Sequence, residues 1–195
     1  MYEVFGSRGS RAIRVLWMLE EIGVPYNHIA AKPRSPEALA NNPSGKVPSM
    51  RDGDVVLTDS AAILTYLADK HEALTHPAGT LERGLQDCLL HQVLDEIDST
   101  LWMAARHSFV LPEERRVPAV KDSLKWEYDR NIVRLADRLE GPFLMGEKMT
   151  VPDIVLAHCL GWADRAGFAW PGDALEAYRA RMEAREAFQK AAMLP

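Results

Sequence analysis

Cysteine is scarce in this sequence, with two residues in 195. Cys88 and Cys159 lie far apart, each in an apolar helix-like pattern, so we expect two buried thiols in a reducing cytoplasm rather than a disulfide framework. No apolar run reaches about 18 residues, which argues against a membrane-spanning helix. The chain enters a short strand-like stretch at once, without a basic segment or a cleavage site, and we expect no signal peptide. These absences predict a cytoplasmic protein without a membrane partner.

An excess of positive charge is also missing, since the formal net charge is -5. A broad nucleic-acid-binding surface is basic, so we expect no nucleic acid as a partner.

Histidines with metal-ligand spacing are missing as well. His71 and His76 stand five positions apart, whereas a zinc-binding pair on one helical face stands four apart. The sequence therefore predicts no metal site.

The hydrophobic pattern changes character near residue 76. Before it, short apolar strands alternate with helices, and the Asp-Gly pair at 52–53 is typical of a hairpin. The predicted strands are 2–5, 26–31, 47–50 and 55–57, and the predicted helices are 11–22, 37–40 and 61–70. After a linker at 76–79, apolar residues recur only at helical spacing, in helices near 81–107, 118–140, 152–166 and 174–190. The pattern predicts an α/β domain at 1–75 and an all-helical domain at 80–195.

The turn in VFGSRGSRAIRVLW, residues 4–17, holds two serines between the first strand and the first helix. It lacks the Lys-Ser/Thr of a phosphate loop, the third glycine of the dinucleotide pattern and the GxSxG spacing of a nucleophile elbow. What remains is a helix N-terminus, whose free N–H groups and partial positive charge favour an anion. Ser7 and Ser10 are the candidate side chains, with the alternative that Ser10 only caps the helix.

The stretch NPSGKVP, residues 42–48, places a proline at the start of a strand, where a missing N–H is tolerated. A cis peptide between Val47 and Pro48 would expose the Val47 backbone to an extended peptide ligand. The alternative is a simple loop proline.

Two further segments begin helices. Asp59 and Ser60 place a carboxylate and a hydroxyl beside free helical N–H groups, which suits the ammonium and carboxylate of an amino-acid head group. The alternative there is an N-cap. Thr150 and Asp153 form a capping box before an apolar run, which we interpret as the structural start of a buried helix.

Taken together, these motifs resemble the glutathione transferase superfamily over essentially the whole chain. VFGSRGSRAIRVLWMLEEIGVPY is similar to its active-site turn and first helix, NPSGKVPSM to its cis-proline segment, DSAAILTYLADK to its γ-glutamyl-binding helix and TVPDIVLAHCL to its capping-box helix. The resemblance implies a thioredoxin-like N-terminal domain, an all-helical C-terminal domain and a homodimer. It also implies glutathione as co-substrate.

The resemblance also implies roles for individual residues. Val47, next to Pro48, would pair with the cysteinyl backbone of glutathione, Asp59 and Ser60 would hold its γ-glutamyl end, and Lys46 would lie near the peptide backbone or the glycyl carboxylate. A turn residue would donate a hydrogen bond to the sulfur. Because the thiolate is the nucleophile, this bond activates glutathione for attack on an electrophilic carbon.

A serine fits that activating position best. The turn contains no cysteine, and Tyr2 lies too early in the strand for a tyrosine type. We prefer Ser10, because a helix N-terminus lies directly behind it. Ser7 is the alternative, from a theta-like SxxxRAV pattern. The sequence departs from the family in having Asp59 where glutamate is common and Arg8 where proline is frequent.

The electrophile would be bound by the turn and the start of the helical domain. Position gives the candidate residues Trp102, Met103, Arg106, His107 and Phe109. The predicted activity is conjugation of glutathione to a small hydrophobic electrophile. Two alternatives are a glutathione-transferase-like protein without catalysis that binds partners, and a glutathione-dependent dehalogenase or isomerase.

Overall fold

The computed structural model describes residues 1–169 and 172–195, which divide into two compact units. The first unit comprises Met1–Ala78 together with Met182–Pro195, and the second comprises Gly79–Arg181. The linker predicted at 76–79 contains the division between them. The C-terminal segment, which we predicted as part of the helical domain, groups instead with the α/β unit.

The first unit is built on a four-stranded mixed sheet. Its elements are β1 (Tyr2–Phe5), α1 (Ala12–Ile22), β2 (Tyr26–Ile29), α2 (Pro36–Asn41), β3 (Ser49–Asp52), β4 (Val55–Thr58) and α3 (Ser60–His71). The strand order is β2-β1-β3-β4, with β1 parallel to β2 and antiparallel to β3, and β3 antiparallel to β4. This arrangement confirms the predicted thioredoxin-like α/β domain.

Helix α1 is the central buried element of the first unit. Its residues from Ala12 to Leu19 are buried, so it is covered on more than one face, as its apolar sequence predicts. Gly23 ends it in the left-handed conformation, with φ of 68°. Helix α3 packs against it, and so does α9 (Glu186–Met193).

The second unit is helical, as predicted. Its elements are α4 (Leu81–Gln92), a π-helical segment (Val93–Asp98), α5 (Ser99–Ala105), a second π-helical segment (Arg106–Val110), a short 3-10 turn (Glu113–Arg115), α6 (Val120–Ala136) and α7 (Val151–Arg165); α8 (Asp173–Glu183) begins in this unit. The first predicted helix thus continues to Val110 and contains two π-helical segments.

One predicted helix is wrong. The single helix expected at 174–190 consists of α8 and α9, separated by Ala184 and Arg185. The Arg185 backbone is extended, with ψ of 136°, and its side chain pairs with Glu21 on α1. Tertiary pairing therefore outweighs the continuous helical pattern of the sequence.

The capping box at the start of α7 is formed. The Asp153 carboxylate is buried and accepts hydrogen bonds from the backbone N–H of Thr150 at 2.8 Å, the N–H of Leu144 at 2.8 Å and the Tyr178 hydroxyl at 2.9 Å. Burial raises the pKa of the Asp153 carboxyl, and the hydrogen bonds that it accepts act in the opposite direction. This confirms our interpretation of the segment as a structural helix start.

The prediction of two buried thiols is wrong for one of them. Cys159 is buried in α7, whereas Cys88 is exposed on α4. On that helix Leu89 faces the core, and Leu81 and Leu85 lie on the exposed side with Cys88. The apolar periodicity of α4 runs on both faces, so the sequence pattern does not reveal which face is covered.

None of the helices in the described ranges is long and apolar enough to cross a membrane.

Candidate functional site

Three sequence motifs meet at one edge of the sheet in the first unit. In the strand register, Phe5 pairs with Ser49, and Ser49 pairs with Thr58. β1 and β4 therefore end where β3 begins. The turn after Phe5, the Val47–Pro48 segment before Ser49 and the Asp59–Ser60 segment after Thr58 all leave the sheet at this edge, because antiparallel neighbours alternate in direction.

The turn after β1 is closed by its own serines. The N–H of Ser10 donates to the carbonyl of Ser7 at 3.0 Å, which forms a β-turn with Arg8 and Gly9 at its centre. The Ser10 hydroxyl donates to the same carbonyl at 2.7 Å and accepts from the N–H of Ala12 at 3.1 Å. The half-buried Ser7 hydroxyl has no hydrogen-bond partner among the described residues.

Gly6 brings this turn against the proline segment. Its φ is +147°, and a Cβ at this position would lie 2.6 Å from the Ala12 Cβ and 3.3 Å from the Val47 Cβ. Its N–H donates to the carbonyl of Ile29 at 3.1 Å, and its own carbonyl lies 2.7 Å from the His28 Nε2. A glycine is required because any side chain would separate the turn from α1 and from Val47.

We expect Gly6→Ala to lower the free energy of unfolding by about 2 kcal/mol or more, since the added methyl overlaps Ala12 and the backbone conformation is strained. The matched control is Gly9→Ala, because among the described residues no heavy atom beyond its two chain neighbours lies within 4 Å of a Cβ at Gly9. That substitution should change stability by less than about 1 kcal/mol. Urea unfolding of both variants gives the comparison, and equal stability of the two would contradict the close packing at Gly6.

The peptide between Val47 and Pro48 is cis, the first of the two alternatives for this segment. Pro48 is buried, Val47 is half-buried and Lys46 is exposed. Asn42 Nδ2 donates to the carbonyl of Lys46 at 3.1 Å, which holds the loop in place. The N–H and C=O of Val47 make no backbone hydrogen bond within the described part of the chain. They are therefore available to a peptide-like ligand.

Asp59 and Ser60 start α3 in different ways. Asp59 has a φ of 71°, and its Oδ1 accepts from the N–H of Ala61 at 2.9 Å and of Ala62 at 3.1 Å. It is therefore an N-cap, and its second carboxylate oxygen makes neither of these bonds. Ser60 is buried, with 4% exposure, and its Oγ accepts from Arg14 Nη1 at 3.2 Å.

Comparison with known proteins assigns the family. Residues 4–76 match the model of the glutathione S-transferase N-terminal domain, and residues 99–186 match that of the glutathione S-transferase C-terminal domain. The chain belongs to the glutathione S-transferase family. This family uses glutathione as co-substrate.

Individual relatives and structures are similar over different lengths. Human glutathione S-transferase theta-2B is 31% identical over 166 residues, which cover 76% of this chain and 65% of that protein. A glutathione transferase from Methylococcus capsulatus str. Bath is 29% identical with a TM-score of 0.86, covering 98% of this chain and 97% of that one. A theta class glutathione S-transferase from Xanthomonas axonopodis pv. citri, solved with glutathione bound, is 28% identical with a TM-score of 0.77, covering 100% of this chain and 98% of that one.

Sequence reasoning missed Arg14, which links this family's turn-and-helix segment to the start of α3. Arg14 is 1% exposed although it carries a charge, and it donates to Ser60. The available signal was an arginine beside the continuous apolar run of α1, since a charged residue is almost never fully buried unless it is paired. It fixes the hydroxyl that the family resemblance assigns to the γ-glutamyl end.

The electrophile-site residues predicted from the sequence differ in their exposure within the second unit. Trp102, Met103 and Arg106 are half-buried, the His107 Nδ1 accepts from the N–H of Val117 at 3.0 Å, and Phe109 is 69% exposed. A cavity of about 270 Å³ in this unit is lined by Phe109 and by the side of α5 that carries Leu101, Ala104 and Ala105. The other four predicted residues do not line it.

The histidines rejected as a zinc pair have other environments. His71 Nε2 lies 2.8 Å from the Tyr2 hydroxyl, and their rings pack edge to face. Within 1–169 and 172–195, no group of three or more His, Cys, Asp or Glu side chains is arranged to hold a metal ion.

Proposed function

We propose that this chain is a glutathione transferase, which binds glutathione at the sheet edge of the first unit and activates its sulfur as a thiolate. The thiolate attacks a small hydrophobic electrophile. The observation that carries the proposal is the register of Phe5, Ser49 and Thr58. Through it the serine turn, the cis-proline segment and the start of α3 adjoin one another, as a bound tripeptide requires.

Each part of glutathione has a group of matching chemistry at this edge. The N–H and C=O of Val47, which make no backbone hydrogen bond to another described residue, pair with the cysteinyl backbone beside Pro48. The Asp59 carboxylate takes the ammonium of the γ-glutamyl end, and Ser60 with the N-terminus of α3 takes its carboxylate. Lys46 is exposed and directly precedes Val47, and its ammonium supplies a positive charge for the glycyl carboxylate.

For the group that donates to the sulfur we propose Ser7, the alternative to Ser10. The hydrogen bonds support this choice, because the Ser10 hydroxyl hydrogen is directed at the Ser7 carbonyl, 2.7 Å away. The Ser7 hydroxyl makes no such bond among the described residues. A hydroxyl donating to sulfur favours the thiolate over the thiol, and the N-terminus of α1 favours it further. Ser10 as the donor stays a prediction, which a variant comparison tests.

The experiment that tests the function is calorimetric titration with glutathione, followed by a conjugation assay on a generic aryl halide. We expect one site for each chain, and we expect Asp59→Asn to weaken binding by about tenfold or more, because the amide can still cap α3 but does not attract the ammonium. The matched control is Asp54→Asn. Asp54 lies in the turn between β3 and β4, at the opposite edge of the sheet, and its replacement should leave glutathione affinity unchanged.

Absence of glutathione binding to the wild-type chain would overturn the proposal. Glutathione binding without conjugation would favour the alternatives, namely a non-catalytic binding protein or a glutathione-dependent dehalogenase or isomerase.

The proposal includes a homodimer in the cytoplasm. The exposed apolar residues Leu81 and Leu85 on α4, at 77% and 51% exposure, support self-association, which sedimentation of the same sample measures.

A further inference from the structure

The C-terminal helix lies along α1 in the first unit. Arg185, at the start of α9, pairs bidentately with Glu21 near the end of α1, with nitrogen–oxygen distances of 2.5 and 2.7 Å. One turn further along α9, the Phe188 ring packs edge to face on the buried Trp17, with centroids 4.9 Å apart. As α9 advances, its partners come earlier in α1, so the two helices run antiparallel.

The third contact of α9 is with the serine turn itself. Arg8 Nη1 donates to the backbone carbonyl of Ala192, in the last turn of α9. The last carbonyls of a helix have no partner within it and carry partial negative charge, so a guanidinium there is favourable. Arg185, Phe188 and Ala192 thus fix one face of α9 to α1 and to the turn that precedes it.

The turn needs such a contact because its outer part has little other support. Arg8 and Gly9 are the central residues of the β-turn closed by Ser7 and Ser10, and both are exposed. Beyond its two chain neighbours, no heavy atom of the described residues lies within 4 Å of a Cβ placed on Gly9. Glycine adds backbone freedom at this position. The position of Arg8 is the one in a β-turn where proline would restrict the backbone.

We propose that Arg8 is a positioning residue, which uses the C-terminal end of α9 to hold the turn that presents Ser7. The inference rests on the proposed function, since Ser7 is assigned there to the glutathione sulfur. A hydrogen bond that stabilises a thiolate depends on its donor being held in place, and a displacement of about 1 Å can cost up to about 100-fold in rate. Arg8 supplies in this chain a restraint of the kind that a proline gives to a β-turn.

The test compares Arg8→Ala with Arg8→Pro. Both remove the guanidinium, but proline restricts the backbone at the second position of the β-turn without any contact to α9. We expect Arg8→Ala to lower kcat about tenfold and to raise the pKa of the bound thiol, with a much smaller change in the KM for glutathione. Arg8→Pro should restore most of both kcat and thiol pKa, measured from the ultraviolet absorbance of the bound thiolate against pH.

The control is Lys190→Ala, which removes an exposed charge of α9 that pairs with Glu186 in the same helix at 2.8 Å. It should match the wild-type chain in kcat and thiol pKa. A wild-type kcat and thiol pKa in Arg8→Ala would overturn the inference. Equal loss of kcat in Arg8→Ala and Arg8→Pro would also overturn it. That result would show that the charge of Arg8, and not a restraint on the turn, affects catalysis.

A second measurement tests the restraint without glutathione. Hydrogen exchange at the Ser10 N–H, which closes the turn, should be faster in Arg8→Ala than in the wild-type chain and unchanged in Lys190→Ala. Unchanged exchange in Arg8→Ala would overturn the inference whatever the activity. If the wild-type chain neither binds nor conjugates glutathione, the proposed function fails, while faster exchange in Arg8→Ala would still support the restraint by α9.

Discussion

Replacing Ser7 by alanine should lower kcat/KM for glutathione conjugation by about 100-fold, because one hydrogen bond to a developing or full negative charge in a catalytic site is worth about that factor. The pKa of the bound thiol should rise at the same time, since the thiolate loses its donor. Stability should change little, because the Ser7 hydroxyl makes no hydrogen bond to any described residue. Steady-state kinetics and thiolate absorbance against pH measure these effects.

Ser10→Ala is the matched comparison, because it removes the other hydroxyl of the same turn. The Ser10 hydroxyl bonds to Ser7 and to Ala12, so its loss should destabilise the chain by about 1 kcal/mol, as the loss of a helix cap does. Its catalytic loss should be the smaller of the two. If Ser10→Ala abolishes activity while Ser7→Ala retains it, the preference from the sequence is right and the choice of Ser7 is wrong.

Asp153→Ala should produce the largest loss of stability, about 3–5 kcal/mol, because it leaves several buried donors without an acceptor. The backbone N–H of Leu144, the backbone N–H and hydroxyl of Thr150 and the hydroxyl of Tyr178 all donate to this one carboxylate. Thermal unfolding should show a Tm lower by roughly 10 °C for a chain of this length.

The matched control is Asp164→Ala, on the same helix. Asp164 pairs with Arg179 at 2.9 Å, but its side chain is 57% exposed. Because an exposed ion pair contributes little, this substitution should cost less than about 1 kcal/mol. An equal loss of unfolding free energy in Asp153→Ala and Asp164→Ala would show that the buried hydrogen bonds to Asp153 do not account for its contribution to stability.

Much of the fold followed from local patterns. β1 was predicted over its exact range, and α1 begins at Ala12, one residue after its predicted start. These elements were predictable because period, glycine stops and capping residues act within a few neighbouring positions. The capping box at Asp153 was predictable for the same reason.

The predictions from the sequence were wrong where contacts between residues far apart in the chain determine the local structure or the exposure of a side chain. The break at Arg185 depends on a pair with Glu21, and the exposure of Cys88 depends on which face of α4 is covered. The helix pattern contains neither fact, because it records periodicity and not the identity of what packs against each face.

For the site, the sequence by itself determined the three segments and the family that they resemble. It also supplied the two candidate serines, since residue types and spacing near a turn are local. Only the tertiary structure decided that Phe5, Ser49 and Thr58 lie side by side, that Arg14 is buried behind Ser60 and that Arg8 meets the end of α9. The physical reason is that strand register and helix packing minimise exposed apolar surface and unpaired polar groups over the whole unit, which no short segment specifies alone.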